Sequence, residues 1–263
     1  MRENTIRTIW KRGDCVVNGW LSIPDGFAAE VSAHQGWDSL TIDLQHGLVD
    51  YQGAVRMLQG ISTTPVIPLA RVPWNEPGII MKMLDAGCYG IICPMISTRA
   101  ECEAFVGACR YAPQGYRSIG PTRATLYAGS DYAANANATV ITMAMIETRE
   151  AIDHLDHILS TPGLDAIYVG PADLSQSLGY PPRLDPTNPE MLAIIDQIIR
   201  AARKHQIVVG MHTGSAEYAR QMQAKGMQFL TLLSDARLLA MAEQQIVAAF
   251  RDRAVAQVSG GPY

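Results

Sequence analysis

The sequence predicts a (β/α)8 TIM barrel in a single domain, and three observations carry that prediction. Eight short apolar runs recur along the chain: VVNGWLSI, SLTIDL, PVIPLARV, GIICPMI, VITMAMIE, DAIYVG, IVVGMHTG and FLTLLSD. Between them lie segments whose apolar residues fall three and four apart, as a helix with one buried face requires. The chain has 263 residues, and barrels of this kind occupy roughly 250 residues as one unit. Strands that alternate with helices pair in parallel through crossovers, and eight of them close a ring. An open doubly wound sheet is the competing arrangement. It usually carries a GxGxxG turn after its first strand, and IPDGFAAE does not fit that pattern.

Taken in order, the second run is the most informative. Leu40, Ile42 and Leu44 alternate with Thr41, Asp43 and Gln45, as in a strand with one apolar face, and His46 follows at its exit. The third run brings Arg71, in step with Ile67 and Leu69, before the helical segment EPGIIMKMLDAG with its terminal glycine. After the fourth run and AECEAFVGACRYA comes a poorly periodic stretch, Pro113 to Asn137. A loop that long is expected to be functional or to carry short elements of its own. The fifth run ends at Glu147, the sixth leads into GPADLSQSLG with Asp173, and the seventh contains His212. The last helical segment, ARLLAMAEQQIVAAFRDRA, is rich in Leu, Ala and Met, so it either packs on a partner subunit or caps its own barrel. The tail SGGPY is expected to fray.

Hydrophobic residues make up 48% of the chain, enough for a sizeable core, and the formal charge of -4 argues against nucleic acid or an anionic membrane as partner. No apolar stretch approaches the roughly 20 residues of a membrane span, and the N-terminal MRENTIRTIWKRGD lacks a signal-peptide core. Five cysteines, Cys15, Cys88, Cys93, Cys102 and Cys109, make an odd number without CxxC spacing. Reduced thiols and a cytoplasmic location are expected.

In a (β/α)8 barrel the active site lies at the C-terminal ends of the strands. Asp43, His46, Arg71, Glu147, Asp173 and His212 all fall there, and a purely structural barrel has no need of such a set. Each also has a plainer role open to it. Asp43 could cap a turn, His46 could be a solvated loop residue, Arg71 could pair with Glu76, and Glu147 or Asp173 could cap the next helix. His212 could be a pocket wall. His34, His154, His157 and His205 fall in helical or pre-strand segments and are expected at the surface.

Glu147 and Asp173, from adjacent strands, suit a hard divalent cation with positions left for water and substrate. Oxygen ligands favour Mg²⁺ or Mn²⁺, with Co²⁺ also admissible, and there is no Cys/His cluster for structural zinc. The amides of Gly170, Ala172 and Asp173 stand at a helix start, where an anion binds, and Arg71 offers a planar fork to a carboxylate or enolate. Together these describe a 2-oxo acid site. The four lysines, Lys11, Lys82, Lys204 and Lys225, all avoid strand ends, so no Schiff base is expected. No glycine-rich loop follows the last two strands, which disfavours a phosphorylated substrate.

The blocks DLQHG, ARVPWNEP, LDAGCYGIICPMI, YAPQGYRSIG, MIET and IYVGPADLSQSLG resemble the signature blocks of the HpcH/HpaI-type aldolases. That group includes 4-hydroxy-2-oxoheptanedioate aldolase and 2-dehydro-3-deoxyglucarate aldolase. The resemblance runs from about Gly19 to Asp235. It implies a metal-dependent (class II) aldolase that reversibly cleaves 4-hydroxy-2-oxo acids to pyruvate or hydroxypyruvate and an aldehyde through a metal-stabilised enolate. By this resemblance Glu147 and Asp173 bind the metal, His46 is the base aimed by Asp43, Arg71 stabilises the enolate, and Gly170 and Ala172 hold the carboxylate. It also implies homo-oligomers, trimers or hexamers, whose last helices exchange between neighbours. A metal-dependent oxaloacetate decarboxylase, or a related enolpyruvate-forming lyase, shares the same enolate and is the alternative.

Four positions depart from the pattern. Gln45 stands where many members have Glu, Met145 where many have Gln, Ser118 where Gly is usual, and His212 where an apolar residue is common. Met145 and His212 are therefore expected to line the substrate pocket and to shift donor or acceptor preference.

Overall fold

The structure, a computed structural model, describes residues 1–251. In chain order its first half runs α1 (Thr5–Lys11), β1 (Val16–Leu21), α2 (Gly26–Ala33), β2 (Ser39–Asp43), α3 (Tyr51–Ile61), β3 (Ile67–Arg71), α4 (Pro77–Asp85), β4 (Gly90–Cys93), α5 (Arg99–Cys109), α6 (Thr122–Ala128) and α7 (Tyr132–Thr139). The second half runs β5 (Ile141–Ile146), α8 (Arg149–Asp153), α9 (Leu155–Leu159), β6 (Ala166–Val169), α10 (Pro171–Ser177), α11 (Pro189–His205), β7 (Val208–Thr213), α12 (Ala216–Lys225), β8 (Phe229–Leu232) and α13 (Asp235–Phe250). The eight strands pair in parallel in sequence order, and β8 returns to β1 to close the barrel. Every strand lies inside a run the sequence marks out, trimmed by a few residues where the chain turns towards the next helix. The long stretch before β5 carries α6 and α7, short elements of its own.

Local chemistry fixes where the helices start. Asp25, Asp50 and Ser215 accept a hydrogen bond from an amide of the first turn of α2, α3 and α12, and Thr98 with Glu101 forms a reciprocal capping box on α5. Gly226, at φ 111°, ends α12 in a left-handed turn that a side chain would resist.

The second strand departs from the one-sided reading in one respect. Its polar alternates do not face water; every residue of β2 is buried. Ser39 and Thr41 turn into the barrel and donate to Asn18 Oδ1 at 2.8 and 3.1 Å, while Asn18 donates to Thr231 Oγ1 at 2.9 Å. Tyr168 adds a bond to the same Thr231 hydroxyl at 2.8 Å. A closed parallel barrel buries both faces of each strand. The inner positions are satisfied here by a polar network that forms the floor beneath the site.

Four of the five cysteines are buried and all are free thiols. No helix among the described residues is long and apolar enough to cross a membrane. No described residue of α13 is buried, and Leu239, Ile246 and Phe250 are exposed along it, Phe250 by 91%. The helix meets its own barrel at its start, where Asp235 accepts from Ser22 and Ile23, and leaves these apolar side chains uncovered along its length on this chain. The tail SGGPY and the end of the last predicted helix lie outside the described residues.

Candidate active site

Asp43 closes β2 and Arg71 closes β3, and the two are direct partners in the register. Parallel pairing therefore brings an acid and a base side by side at the barrel mouth. Arg71 Nε donates to Asp43 Oδ1 at 2.9 Å and a terminal nitrogen donates to Oδ2 at 2.5 Å, both residues being buried. This two-point fork fixes orientation as well as charge. Trp20, on β1, donates its indole N–H to Asp43 Oδ2 at 3.0 Å, and its ring lies under the Arg71 guanidinium at 4.8 Å. The ring stacks on Tyr168 and meets the edge of His212 at 5.1 Å.

His46 sits in the loop after β2, exposed at the rim. Asp43 Oδ1 accepts from the amides of Gln45 and His46 at 3.0 and 3.2 Å, so the acid holds the backbone that carries the histidine. Burial and the Arg71 charge push His46 below the ordinary histidine range, against the opposite pull of Asp43 and Asp173. His46 is thus a neutral imidazole at neutral pH, able to accept a proton.

Glu147 follows β5 and is buried. Its Oε1 accepts from the Met95 amide at 2.7 Å. Met95 holds φ at 57°, an uncommon conformation for a side chain of this size, and it lies just beyond the end of β4. Burial pushes Glu147 up to about 7; the Met95 amide and Arg71 pull the other way, and the charge of Asp173 adds to the rise. Asp173 thus acts on both Glu147 and His46, which places all three within electrostatic reach. The other Glu147 oxygen, Oε2, occupies space beside Gly170: a Cβ there would lie 2.3 Å from it. Gly170 is the N-cap of α10, while Ala172 and Asp173 belong to that helix's first turn.

This arrangement fits a divalent cation. A desolvated carboxylate and a second acid repel one another, and a dication between them removes that cost. The glycine leaves the carboxylate room beside it. No cluster of three or more His, Cys, Asp or Glu side chains suited to a metal occurs among the described residues, so substrate and water would complete the shell, as Mg²⁺ commonly requires.

Two adjoining hollows occupy the mouth. The narrow one, about 20 Å³, is lined by Arg71, Met145, Gly170, Ala172, Asp173 and others. The wide one, about 180 Å³, is lined by Trp20, Asp43, His46, Arg237 and others. Leu184 and His212 belong to both. Burial and the charge of Arg71 push His212 down to about 3, so it is a neutral wall rather than an acid.

The plainer roles resolve individually. Glu76 caps α4 through the Gly78 and Ile79 amides, while Arg71 pairs with Asp43. Thr148, not Glu147, caps α8, and Gly170, not Asp173, caps α10. Asp43 does cap a turn, and it holds Arg71 at the same time. His34 and His157 are exposed, His154 and His205 half-buried, and none lines the two hollows. Sequence reasoning missed Trp20, Met95, Leu184 and Arg237. Only Trp20 left a signal: it shares parity with Asn18 on a strand whose neighbour carries Asp43.

The sequence profile of the family described as HpcH/HpaI aldolase/citrate lyase matches residues 20–242. A hydroxypyruvate/pyruvate aldolase of Rhizorhabdus wittichii is 40% identical over 245 residues, covering 93% of this chain and 98% of its own. A 4-hydroxy-2-oxo-heptane-1,7-dioate aldolase of Escherichia coli is 33% identical over 261 residues, covering 98% and 99%. The crystal structure of an HpcH/HpaI aldolase/citrate lyase family protein from Burkholderia cenocepacia J2315 is similar at a TM-score of 0.88 and 29% identity, over 94% of this chain and 99% of that one. Matched by that profile over most of its length, and by these relatives over nearly all of it, this chain belongs to the HpcH/HpaI aldolase/citrate lyase family.

Proposed function

We propose that the chain, a carbon–carbon lyase by family, is a class II aldolase that reversibly cleaves 4-hydroxy-2-oxo acids to pyruvate or hydroxypyruvate and an aldehyde. The observation that carries this reading is the pair of hollows joined at Leu184 and His212. The narrow one has room for little more than a carboxylate, since one water needs roughly 10–15 Å³ on the same scale. It is where the amides of Gly170 and Ala172 would hold the acid end of the substrate, beside Arg71 and Met145. The wide one contains His46, so the carbon bearing the C4 hydroxyl belongs there.

Glu147 and Asp173 would hold the divalent cation, Mg²⁺ or Mn²⁺ with Co²⁺ as a further candidate, which when bound supplies Lewis-acid polarisation of the 2-oxo group. His46 takes the C4 hydroxyl proton. The electrons of that O–H bond form the aldehyde carbonyl as the C3–C4 bond breaks, and the released pair becomes the enolate of the 2-oxo acid. Arg71 faces this developing charge and Asp43 keeps the guanidinium in place. Return of a proton to C3 completes the cycle. A positioned general base contributes about 10²- to 10⁴-fold.

The exposed apolar residues of α13 support assembly into trimers or hexamers in which this helix is exchanged between copies. The free, mostly buried thiols support a cytoplasmic location. The test incubates pyruvate or hydroxypyruvate with a panel of aldehydes, with and without Mg²⁺ or Mn²⁺. Cation-dependent formation of a carbon–carbon bond is expected. Release of CO₂ from oxaloacetate as the only turnover would replace this reading with the decarboxylase.

A further inference from the structure

The two hollows of the mouth share a wall that no strand supplies. Leu184 lies on the strap between α10 and α11, residues 178–188, and it lines the narrow hollow and the wide one alike. His212, on β7, is the other residue they have in common.

The strap holds Leu184 in place. Pro181, Pro182 and Pro186 restrict the backbone on either side of it. Asp185, the next residue, accepts from the Gly214 amide at 2.6 Å and from the Ser215 hydroxyl at 2.8 Å, both just past the end of β7. The Tyr218 hydroxyl, on α12, donates to the Pro186 carbonyl at 2.8 Å. The fit is close as well, since a Cβ on Gly214 would lie 3.3 Å from Leu184 Cβ. The ledge beneath is fixed in turn. Leu233, at the left-handed φ of 56°, donates its amide to the Thr213 carbonyl at 3.0 Å. Strain of this kind persists where the surroundings over-determine it.

Substrate order places the wall. With the carboxylate in the narrow hollow and C4 in the wide one, C3 falls at the junction, between Leu184 and His212. While the aldehyde fills the wide hollow, a further substituent on C3 is turned onto these two side chains. His212 is carried on a strand and meets the Trp20 ring edge-on at 5.1 Å, so it has little room to retreat. Leu184 presents a branched apolar surface. The hydrogen of pyruvate fits against it, whereas an added methyl group overpacks the junction. A hydroxyl is smaller than a methyl and can turn to the neutral imidazole of His212, so hydroxypyruvate remains admissible.

We infer that Leu184 is a specificity-determining residue that limits the size of the donor, and that Asp185 is the positioning residue that holds it there. The inference rests on the aldolase reading above and adds a limit to it: the 2-oxo acid half carries no carbon beyond C3.

The test uses cation-loaded full-length protein, saturating glycolaldehyde, and two donors that differ by one methyl group, pyruvate and 2-oxobutanoate. The quantity read is the ratio of kcat/KM in aldol addition for 2-oxobutanoate to that for pyruvate. In wild type it should be about one-tenth or lower, the discrimination that one added carbon commonly brings. Leu184→Ala should raise the ratio by about 10-fold. Asp185→Ala should raise it too, because the strap is no longer pinned, while Leu184→Met, of similar volume, should keep the wild-type ratio. A loss of folded protein lowers both rates alike and leaves the ratio unmoved, and thermal unfolding of each variant checks that the barrel is intact. A wild type that takes both donors equally, or a ratio unmoved in Leu184→Ala, would overturn the role of Leu184 and leave the aldolase reading standing. A ratio raised in Leu184→Ala but not in Asp185→Ala would overturn the role of Asp185. Failure of the wild type to join pyruvate to any aldehyde would overturn both the inference and the reading beneath it.

Discussion

Asp43 and Arg71 end neighbouring strands at matched positions, and the guanidinium grips both carboxylate oxygens of its partner, at 2.9 and 2.5 Å. Burial by itself would raise the Asp43 pKa, yet the charge and hydrogen bonds of Arg71, helped by Trp20, outweigh it and hold the carboxyl below the ordinary range. The pair thus joins the barrel's stability to the geometry of its mouth.

Asp43→Asn should cost about 3–5 kcal/mol of folding stability, because it leaves a buried arginine without its counter-charge. Denaturant unfolding at neutral pH measures this. A carboxyl with a depressed pKa adds stability above its unfolded value and loses it as pH falls through the folded one. The gap between wild type and variant should therefore close in acid. A constant gap across the acid range would remove the ion pair as its cause.

His46→Ala should fold normally and lose about 10²- to 10⁴-fold in kcat. Because burial and Arg71 lower its pKa, the acid limb of the wild-type rate profile should fall below the ordinary histidine value near 6.5. Wild-type turnover in the alanine variant would take His46 out of the reaction.

Gly170→Ala introduces one methyl group 2.3 Å from Glu147 Oε2 and 3.1 Å from Met145 Cε. Glu147 is buried and tied to the Met95 amide, so it has little room to give way. Overpacking of this kind costs about 1–3 kcal/mol. Cation-dependent activity should collapse while the circular dichroism spectrum stays that of a barrel. A fully active alanine variant would show that Glu147 need not stand where it does.

His212→Phe isolates a pH effect. The wild-type imidazole is pushed down to about 3 by burial and Arg71, whereas in the unfolded chain it titrates near 6.5. Between those values the unfolded state binds the extra proton, so stability rises with pH through that window and is lost as pH falls. The phenylalanine variant should lose less stability than wild type on going from pH 7 to pH 4. Parallel curves would mean that His212 titrates normally.

Much of this was legible in the sequence. Short apolar runs marked every strand, because a closed barrel buries both strand faces, and three-and-four spacing marked the longer helices such as α4, α5, α11 and α12, because each buries one face. The site acids, the arginine and the rim histidine were legible because strand ends in a barrel share one mouth. Other features were not. That Arg71 pairs with Asp43 rather than Glu76 depends on inter-strand register, which no local pattern encodes. Met95 and Leu233 adopt left-handed turns with ordinary side chains, so nothing in their identity announces it. Leu184 and Arg237 enter the site from a loop and a helix whose paths are set by tertiary hydrogen bonds such as those of Asp185 and Asp235.

Proton exchange at the methyl group of pyruvate in deuterium oxide, followed by NMR, tests the core of the account most directly, since it reports the enolate without any aldehyde. Chelated protein should leave the methyl signal intact, added Mg²⁺ or Mn²⁺ should make it decay, and Glu147→Gln with the same cation should leave it intact again. Decay that survives exhaustive chelation, or persists in Glu147→Gln, would contradict a cation held by Glu147 and Asp173.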